Sequence, residues 1–507
     1  MIVQDIRLLR KSLETKKIGV LELVTDLLRE FEANHLGAVL CVNKEESFRQ
    51  AEEAQKKIDA GISEPLLGIP CAHKDVFVTE KWRTTAGSKM LVDYLSPFDA
   101  TVVKRIAESG AICLGKSSCD EFAMGSANQN CAFGPCLNPW DKKAIPGGSS
   151  GGSAALVGAG HVSFATGTDT GGSIRQPAAM CGVTGIKPTY GLVSRWGIIA
   201  YASSLDQAGP IANSAYDCGL VLNAMVGFDP RDSTSQRTES VDYCALINAG
   251  NEKTGKKPLE DVVLGIPREY AKAIYSQDVA TAFQESIRTY EKLGATVKEV
   301  SLPHANHSVA AYYVIAPAEA SSNLSRFDGV KFGFRDSQAK TLDELYFDTR
   351  SEGFGEEVKR RILVGTFVLS HGYYDAYYNQ ASKVRRLILS DFKSAFEGCD
   401  FLLSPSSPVL AWDLDAQPDF GTNFNAPEGV PKEYLADLFT VGVSLAGLPA
   451  ISVPCGFGGG QFARRPIGLQ IIGPHFSEQR LLKVADIFQT ETGWHTMKPS
   501  SPTKFEE

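Results

Sequence analysis

Apolar residues recur at three- and four-residue steps early in the chain, at Leu21, Val24, Leu28 and Phe31, which lines one face of a helix. A charged stretch from Glu45 to Ala60 continues the helical pattern. The pattern then changes: Leu66 to Ala72 is a short apolar run carrying Pro70, as in a buried strand. Val102 to Ser109 predicts a short helix that Gly110 can end, with a strand over Ala111 to Leu114 after it. The clearest unit spans residues 261–300. Val262 to Ile266 is β-rich, and Ser276 can cap a helix whose apolar face is Val279, Phe283, Ile287, Tyr290 and Leu293. Gly294 stops that helix, and Thr296 to Val300 makes a second strand. Strand, helix and strand in this span form a βαβ unit, which implies parallel pairing. Ala450 to Pro454 and Ile467 to Ile472 are further strand-like runs, and a last helix is expected from Glu478 to Thr490, capped by Ser477 and stopped at Gly493.

Alternating elements of this kind predict an α/β fold, a single large α/β/α domain whose mixed, mostly parallel central sheet is covered by helices on both faces. No shift in composition marks a second domain within residues 1–507. Helices are expected over 1–60, a core over 66–215, a polar surface crossover over 228–260, a helical region over 300–440 and a polar, frayed tail over 496–507. Residues 411–432 form a long polar loop, and long loops in compact domains are often functional.

With 43% hydrophobic and 22% charged residues, the chain is neither disordered nor fibrous. Its 51 basic and 59 acidic side chains leave a net charge of −8, which argues against a stand-alone protein that holds nucleic acid by neutralising phosphates. No membrane span or export signal is read. The N-terminal MIVQDIRLLRKSLETKK scatters charge through itself, and the weakly apolar stretch Leu438 to Phe457 is broken by Ser444, Pro449, Ser452 and Pro454. Eleven cysteines without a CxxC pair suggest reduced thiols in a cytosol-like compartment. Neither Cys113/Cys119 nor Cys131/Cys136 has zinc spacing, and His304 and His307 lack a third ligand nearby in sequence, so no metal is expected.

The 47 glycines cluster where the chemistry is concentrated. Between Pro146 and Pro188, two Gly/Ser clusters centred on Ser149 and Ser173 bracket a small-residue helix and a strand-like run. A phosphate cradle would need a lysine that Gly167 to Ser173 lacks. Gly147 to Gly151 matches GxSxG, but a nucleophile elbow needs a strand directly before it, and NPWDKKAIP is polar and broken by proline. Glycines serving only tight turns would suit one such cluster better than two that both display serine. Upstream, Lys74 in LLGIPCAHKDVF ends an apolar run. Burial penalises an ammonium and lowers its pKa, so Lys74 could be a neutral base, with an ion pair to Asp75 as the competing reading.

Lys74, GGSSGGS at 147–153 and GTDTGGSIR at 167–175, continuing PAAMCGVTGIKPTYG, together resemble the amidase signature family over nearly the whole chain. DEFAMGSANQN at 120–130, SSLDQAGP at 203–210, EASSNLSRFDGVKFG at 319–333 and VKRRILVGTFVLSHGYYDAYY at 358–378 are most similar to the subgroup that forms the glutamine-hydrolysing A subunits of tRNA-dependent amidotransferases. PIGLQIIGPHFSEQRLLKVA at 466–485 is shared more widely, and His73 departs from the apolar residue that many relatives carry there. The resemblance implies the amidase signature fold and a Ser–Ser–Lys triad: Ser173 as nucleophile, Ser149 as bridging serine on a cis peptide, and Lys74 as base.

These roles are chemically consistent. A serine hydroxyl needs a destination for its proton, and a bridging hydroxyl can accept one proton while donating another. The N–H groups of Thr170, Gly171, Gly172 and Ser173 can converge as an oxyanion hole, commonly worth ~3 kcal/mol per donor. The resemblance further implies hydrolysis of glutamine through an acyl-serine and transfer of the ammonia to a B subunit, where ATP and Mg activate misacylated Glu-tRNA(Gln) or Asp-tRNA(Asn). It places the tRNA mainly on B, adds a C subunit to complete a heterotrimer, needs no cofactor in this chain and implies a cytoplasmic location. Glutamine needs an anion for its α-ammonium and a cation for its α-carboxylate. By resemblance these are Asp437 and Arg361, with Tyr312 nearby. Arg361 adjoins Arg360 and Tyr312 adjoins Tyr313, and a solvated helix face would equally account for a basic run. A free-standing amidase acting on a small amide would carry the same triad without an obligate partner.

Overall fold

The computed structural model describes residues 5–250, 256–420 and 431–499. Eleven strands form one sheet among them: β1 Val39–Cys41, β2 Pro70–Lys74, β3 Ile112–Ser117, β4 Phe164–Asp169, β5 Thr184–Lys187, β6 Gln207–Ala212, β7 Val263–Pro267, β8 Thr296–Val300, β9 Phe401–Pro405, β10 Ala450–Phe457 and β11 Pro466–Ile472. Their order is β1-β3-β2-β4-β6-β5-β10-β11-β9-β7-β8. The fold is α/β and the sheet mixed, as expected, but it is not mostly parallel. Only β3–β2, β2–β4, β9–β7 and β7–β8 run parallel; the other neighbours, β1–β3, β4–β6, β6–β5, β5–β10, β10–β11 and β11–β9, are antiparallel. Crossover helices such as Thr101–Glu108 and Gln277–Lys292 produce the parallel pairs towards either end. Two of the central antiparallel pairs, β5–β6 and β10–β11, are consecutive strands joined without an α-helix, and a direct return must be antiparallel.

The βαβ unit stands as its pattern predicts. Ser276 caps the helix Gln277–Lys292 by accepting from Val279 N, the face from Val279 to Tyr290 is buried, Gly294 follows in a left-handed conformation (φ +104°), and β7 and β8 pair in parallel. At the N-terminus the helices are Ile6–Glu14 and Val20–Ala33. Val24, Leu28 and Phe31 are buried, but Leu21 is 39% exposed and Leu23 and Leu27 complete the inner face instead. The strand expected over 66–72 begins only at Pro70, because the chain turns at Gly68 (φ +78°). The strand runs on past residue 72, and Lys74 is its last residue. The region 300–440 is not wholly helical, since β9 enters the sheet within it. Ser477 does not cap the last helix, Glu478–Thr492: its hydroxyl donates to Pro474 O (2.7 Å), while Gly493 ends the helix with φ +69° as expected.

One contiguous apolar core runs from Ile6 to Phe488, with a smaller cluster around Trp412. All eleven cysteines are free. Residues 251–255 of the expected crossover, 421–430 of the long polar loop and 500–507 of the tail lie outside the described residues. The parallel pairing of β2 and β4, with His73 opposite Thr166, brings Lys74 and the loop after Asp169 to the same edge of the sheet. Carboxyl ends of neighbouring parallel strands are a common place for a binding crevice.

Candidate active site

Lys74 is fully buried, and its Nζ donates to Ser149 Oγ at 2.7 Å and to Thr168 Oγ1 at 2.8 Å. The competing ion pair with Asp75 is not formed. Asp75 faces Lys116 instead, with Lys116 Nζ 2.9 Å from Oδ1, and Oδ2 accepts from Thr85 N at 2.9 Å. Among the described residues no carboxylate pairs with Lys74. Burial pushes its ammonium down to about 8, against the opposing pull of Asp120, Asp169 and Asp206. The neighbouring His73 is also buried, and burial with the Lys116 charge lowers it to about 3, so it stays neutral.

Ser149 follows a cis Gly148–Ser149 peptide bond. Its carbonyl accepts from Asp120 N (3.3 Å), and Gly148 N donates to Gln176 Oε1 (2.8 Å). Asp120 Oδ2 lies so close to Gly148 that a Cβ there would strike it. The two serine clusters meet through Ser150 N, which donates to Ser173 O (3.2 Å). Ser173 Oγ makes no hydrogen bond to a described residue, so the structure joins Lys74 to Ser149 directly and leaves the Ser173 hydroxyl uncommitted.

The turn at 170–173 is clamped at both ends. Asp169 Oδ2 accepts from Ile174 N (3.2 Å) and Arg175 Nε (2.9 Å), and Oδ1 accepts from Arg175 Nη2 (2.8 Å). Burial alone would raise the Asp169 carboxyl, but Arg175 beside it holds it below its ordinary value. Arg175 donates onward to Gln470 Oε1 (2.7 Å), Thr440 O (3.1 Å) and Ser444 Oγ (2.9 Å). Thr170 Oγ1 donates to Asp206 Oδ1 (2.7 Å). Gly172 has φ +152°, and Thr440 fills the place of its missing side chain. The N–H groups of Gly171, Gly172 and Ser173 donate to no acceptor among the described residues.

Tyr312 and Arg361 come from two neighbouring helices, Ser308–Asn323 and Glu356–Leu369. The Tyr312 ring lies against Gly171, where a Cβ would be 2.6 Å from Cζ; Tyr313 stands edge-on behind it at 5.0 Å and stacks on Tyr434 at 3.8 Å. Arg361 is 4% exposed, whereas the Arg360 side chain is 58% exposed, so the inward arginine is Arg361. Its Nε donates to Glu357 Oε1 (2.8 Å) and its Nη1 to Tyr201 Oη (2.8 Å), and the rings of Tyr201, Tyr313 and Tyr434 surround the guanidinium at 5.3–5.5 Å. Nη2 has no protein acceptor among the described residues. Tyr201 N donates in turn to Asp206 (2.9 Å), the carboxylate that holds Thr170, so Arg361 is tied to the turn. Asp437 is buried, accepts from Ser126 Oγ (2.7 Å) through Oδ2, and keeps Oδ1 without a protein donor among the described residues. Burial pushes its carboxyl up to about 7, with Ser126 and the Arg361 charge opposing.

Thr168, Asp120, Ser126, Gln176, Tyr201 and Glu357 are site residues that sequence reasoning did not single out. Thr168, Asp120 and Ser126 lie inside the motifs GTDTGGSIR and DEFAMGSANQN, but nothing in a motif's letters tells which side chains face inward. The described residues hold no group of three His, Cys, Asp or Glu able to bind a metal; His304 Nδ1 contacts Asp391 at 2.9 Å. No described helix is long and apolar enough to cross a membrane.

The sequence matches a family model, Amidase, over residues 22–482. It is 56% identical to the A subunit of the glutamyl-tRNA(Gln) amidotransferase of Herminiimonas arsenicoxydans, across 99% of this chain and 100% of that protein. The protein of the same name from Paraburkholderia phymatum is 55% identical, across 97% and 98%. A crystal structure of the glutamyl-tRNA(Gln) amidotransferase A subunit from Thermotoga maritima is similar with a TM-score of 0.77 and 38% identity, covering 99% of this chain and 98% of that one.

Proposed function

The chain belongs to the amidase family, and on that premise we propose that it is the glutamine-hydrolysing A subunit of a tRNA-dependent amidotransferase. The observation that carries this reading is a buried guanidinium and a buried carboxyl group with unused hydrogen-bonding capacity, Arg361 and Asp437, each linked to the Ser173 turn, through Tyr201 and Asp206 and through Thr440. An α-amino acid offers the carboxylate and ammonium that such a pair matches. A small apolar amide would need neither.

In the reaction, neutral Lys74 takes the proton of Ser149 Oγ as Ser149 takes that of Ser173, and Ser173 Oγ attacks the side-chain amide carbon of glutamine. The carbonyl oxygen, now anionic, is held by the free N–H groups of the turn. Collapse breaks the C–N bond, the proton returns through Ser149 to the leaving nitrogen, and ammonia departs from a γ-glutamyl ester on Ser173. Water, deprotonated by the same relay, attacks the ester and releases glutamate. Arg361 Nη2 binds the α-carboxylate, Asp437 the α-ammonium, and Tyr312 walls the site at Gly171. The ammonia passes to a B subunit that uses ATP and Mg to activate misacylated tRNA, with a C subunit completing the complex in the cytoplasm.

Ammonia release from glutamine tests this reading, measured with the chain alone and then with B and C subunits, ATP and misacylated tRNA. A low rate that rises sharply in the assembly is expected. An unchanged rate, or turnover of another amide but not glutamine, would favour a free-standing amidase. Ser173→Ala should abolish ammonia release from glutamine while amidation fed by ammonium continues; persistent release would remove Ser173 as nucleophile. Lys74→Ala should behave alike, and Ser149→Ala should be severely impaired.

A further inference from the structure

The segment DEFAMGSANQN, residues 120–130, touches the site at Ser149, Gln176 and Asp437. Asp120 N donates to Ser149 O, and its carboxylate accepts from Asn128 N (2.9 Å) and Asn130 N (3.1 Å). Ser126 O accepts from Gln176 Nε2 (2.9 Å), and Ser126 Oγ is the donor to Asp437. Glu121 reaches in another direction. Its Oε1 accepts from Ser88 Oγ (2.5 Å), and its Oε2 accepts from Gly355 N (2.8 Å).

Gly355 immediately precedes the helix Glu356–Leu369, which has no side-chain cap from its own N-cap residue. A Cβ at Gly355 would run into Glu121 Oε2, so glycine is what permits the approach. After Glu121 the chain bends through two left-handed residues, Phe122 (φ +49°) and Ala123 (φ +59°), a conformation that L side chains seldom adopt. The bend sets the Phe122 ring against Phe354 at 5.6 Å. One strained turn therefore grips residues 354 and 355 twice, by a carboxylate and by a ring. A carboxylate also suits the positive end of the helix dipole. Arg361 lies further along that same helix, while Leu363, Val364 and Phe367 on it are exposed.

We propose that Glu121 is a positioning residue for substrate recognition: by holding Gly355 it fixes the placement of the Glu356–Leu369 helix, and so of Arg361, relative to the Ser149 side of the site. This rests on Arg361 holding the α-carboxylate of glutamine. A small misplacement of such a group weakens binding before it alters bond making.

The test uses the full chain assembled with its partner subunits. Glu121→Ala should raise KM for glutamine about tenfold at nearly constant kcat. Glu121→Gln should restore it to within about twofold, because its carbonyl oxygen still accepts from Gly355 and its amide donates to Ser88. In an Arg361→Ala background Glu121→Ala should cost nothing further, since both act through one contact. Gly355→Ala, which presses a methyl on Glu121, should raise KM in the same way and serves where Glu121→Ala does not fold. Amide exchange over residues 355–361 should quicken in Glu121→Ala, a readout that needs no substrate. Unchanged KM, unchanged exchange, or losses that multiply in the Arg361→Ala background would overturn the proposal. A wild-type complex that releases no ammonia from glutamine would instead overturn the assigned function, with exchange still deciding whether Glu121 holds the helix.

Discussion

Lys74 has lost its water and gained no carboxylate in exchange, only two hydroxyls. With its pKa lowered to about 8, roughly one lysine in ten is neutral at pH 7. Glutamine hydrolysis measured as kcat/KM should therefore climb about tenfold per pH unit between 7 and 8, more steeply below 7 where Asp437 also takes up its proton, and level off above 8. A flat profile from pH 6 to 9 would remove Lys74 as the base. The same shift acts on stability. Between about 8 and 10.5 the unfolded chain binds the proton that the folded chain has released, so this group favours folding more as pH rises through that window. Lys74, Ser149 and Ser173 were visible in the sequence because a lysine ending an apolar run and serines set among glycines are each unusual. Thr168 was not, because a threonine in a strand is ordinary until the neighbouring strand is in place.

The turn from Thr170 to Ser173 is shaped as much by what packs on it as by its own residues. Tyr312 occupies the space beside Gly171 and Thr440 the space beside Gly172, where φ is +152°. Gly172→Ala should displace the free N–H groups and lower kcat by about a hundredfold, as removal of an oxyanion donor does, with a much smaller change in KM. Steady-state kinetics on the folded variant would check this, and a rise in KM alone would contradict it. The βαβ unit at 263–300 was legible because its helix shows a full apolar face and its strands are rich in β-branched residues. The antiparallel centre was not. β5 and β6 are short, and their Gly, Pro and Ala residues carry no period by which to read direction. The inward face of the Arg361 helix could not be read either, since Arg360 and Arg361 are chemically identical until Glu357, Tyr201 and Tyr434 are placed around one of them.

Across the whole molecule the cysteines report how completely the core is closed. Ten of the eleven are buried, burial pushes their thiols up, and Cys41 alone is half-buried. A thiol reagent should modify about one cysteine quickly in the native chain and all eleven once it is unfolded; several fast thiols in the native chain would show that the core opens. Charge at this scale is a composition alone: 51 basic against 59 acidic side chains leave a net charge of −8.

β10 and β11 stand between β5 and β9, so within the sheet the half built from residues 39–212 and the half built from 263–405 meet only through residues 450–472. Arg175, which clamps the serine turn from the first half, finds its acceptor Gln470 in β11. Within the sheet, loss of β10 and β11 would therefore part the half carrying Lys74 and both serines from the half carrying Arg361 and leave Arg175 without Gln470.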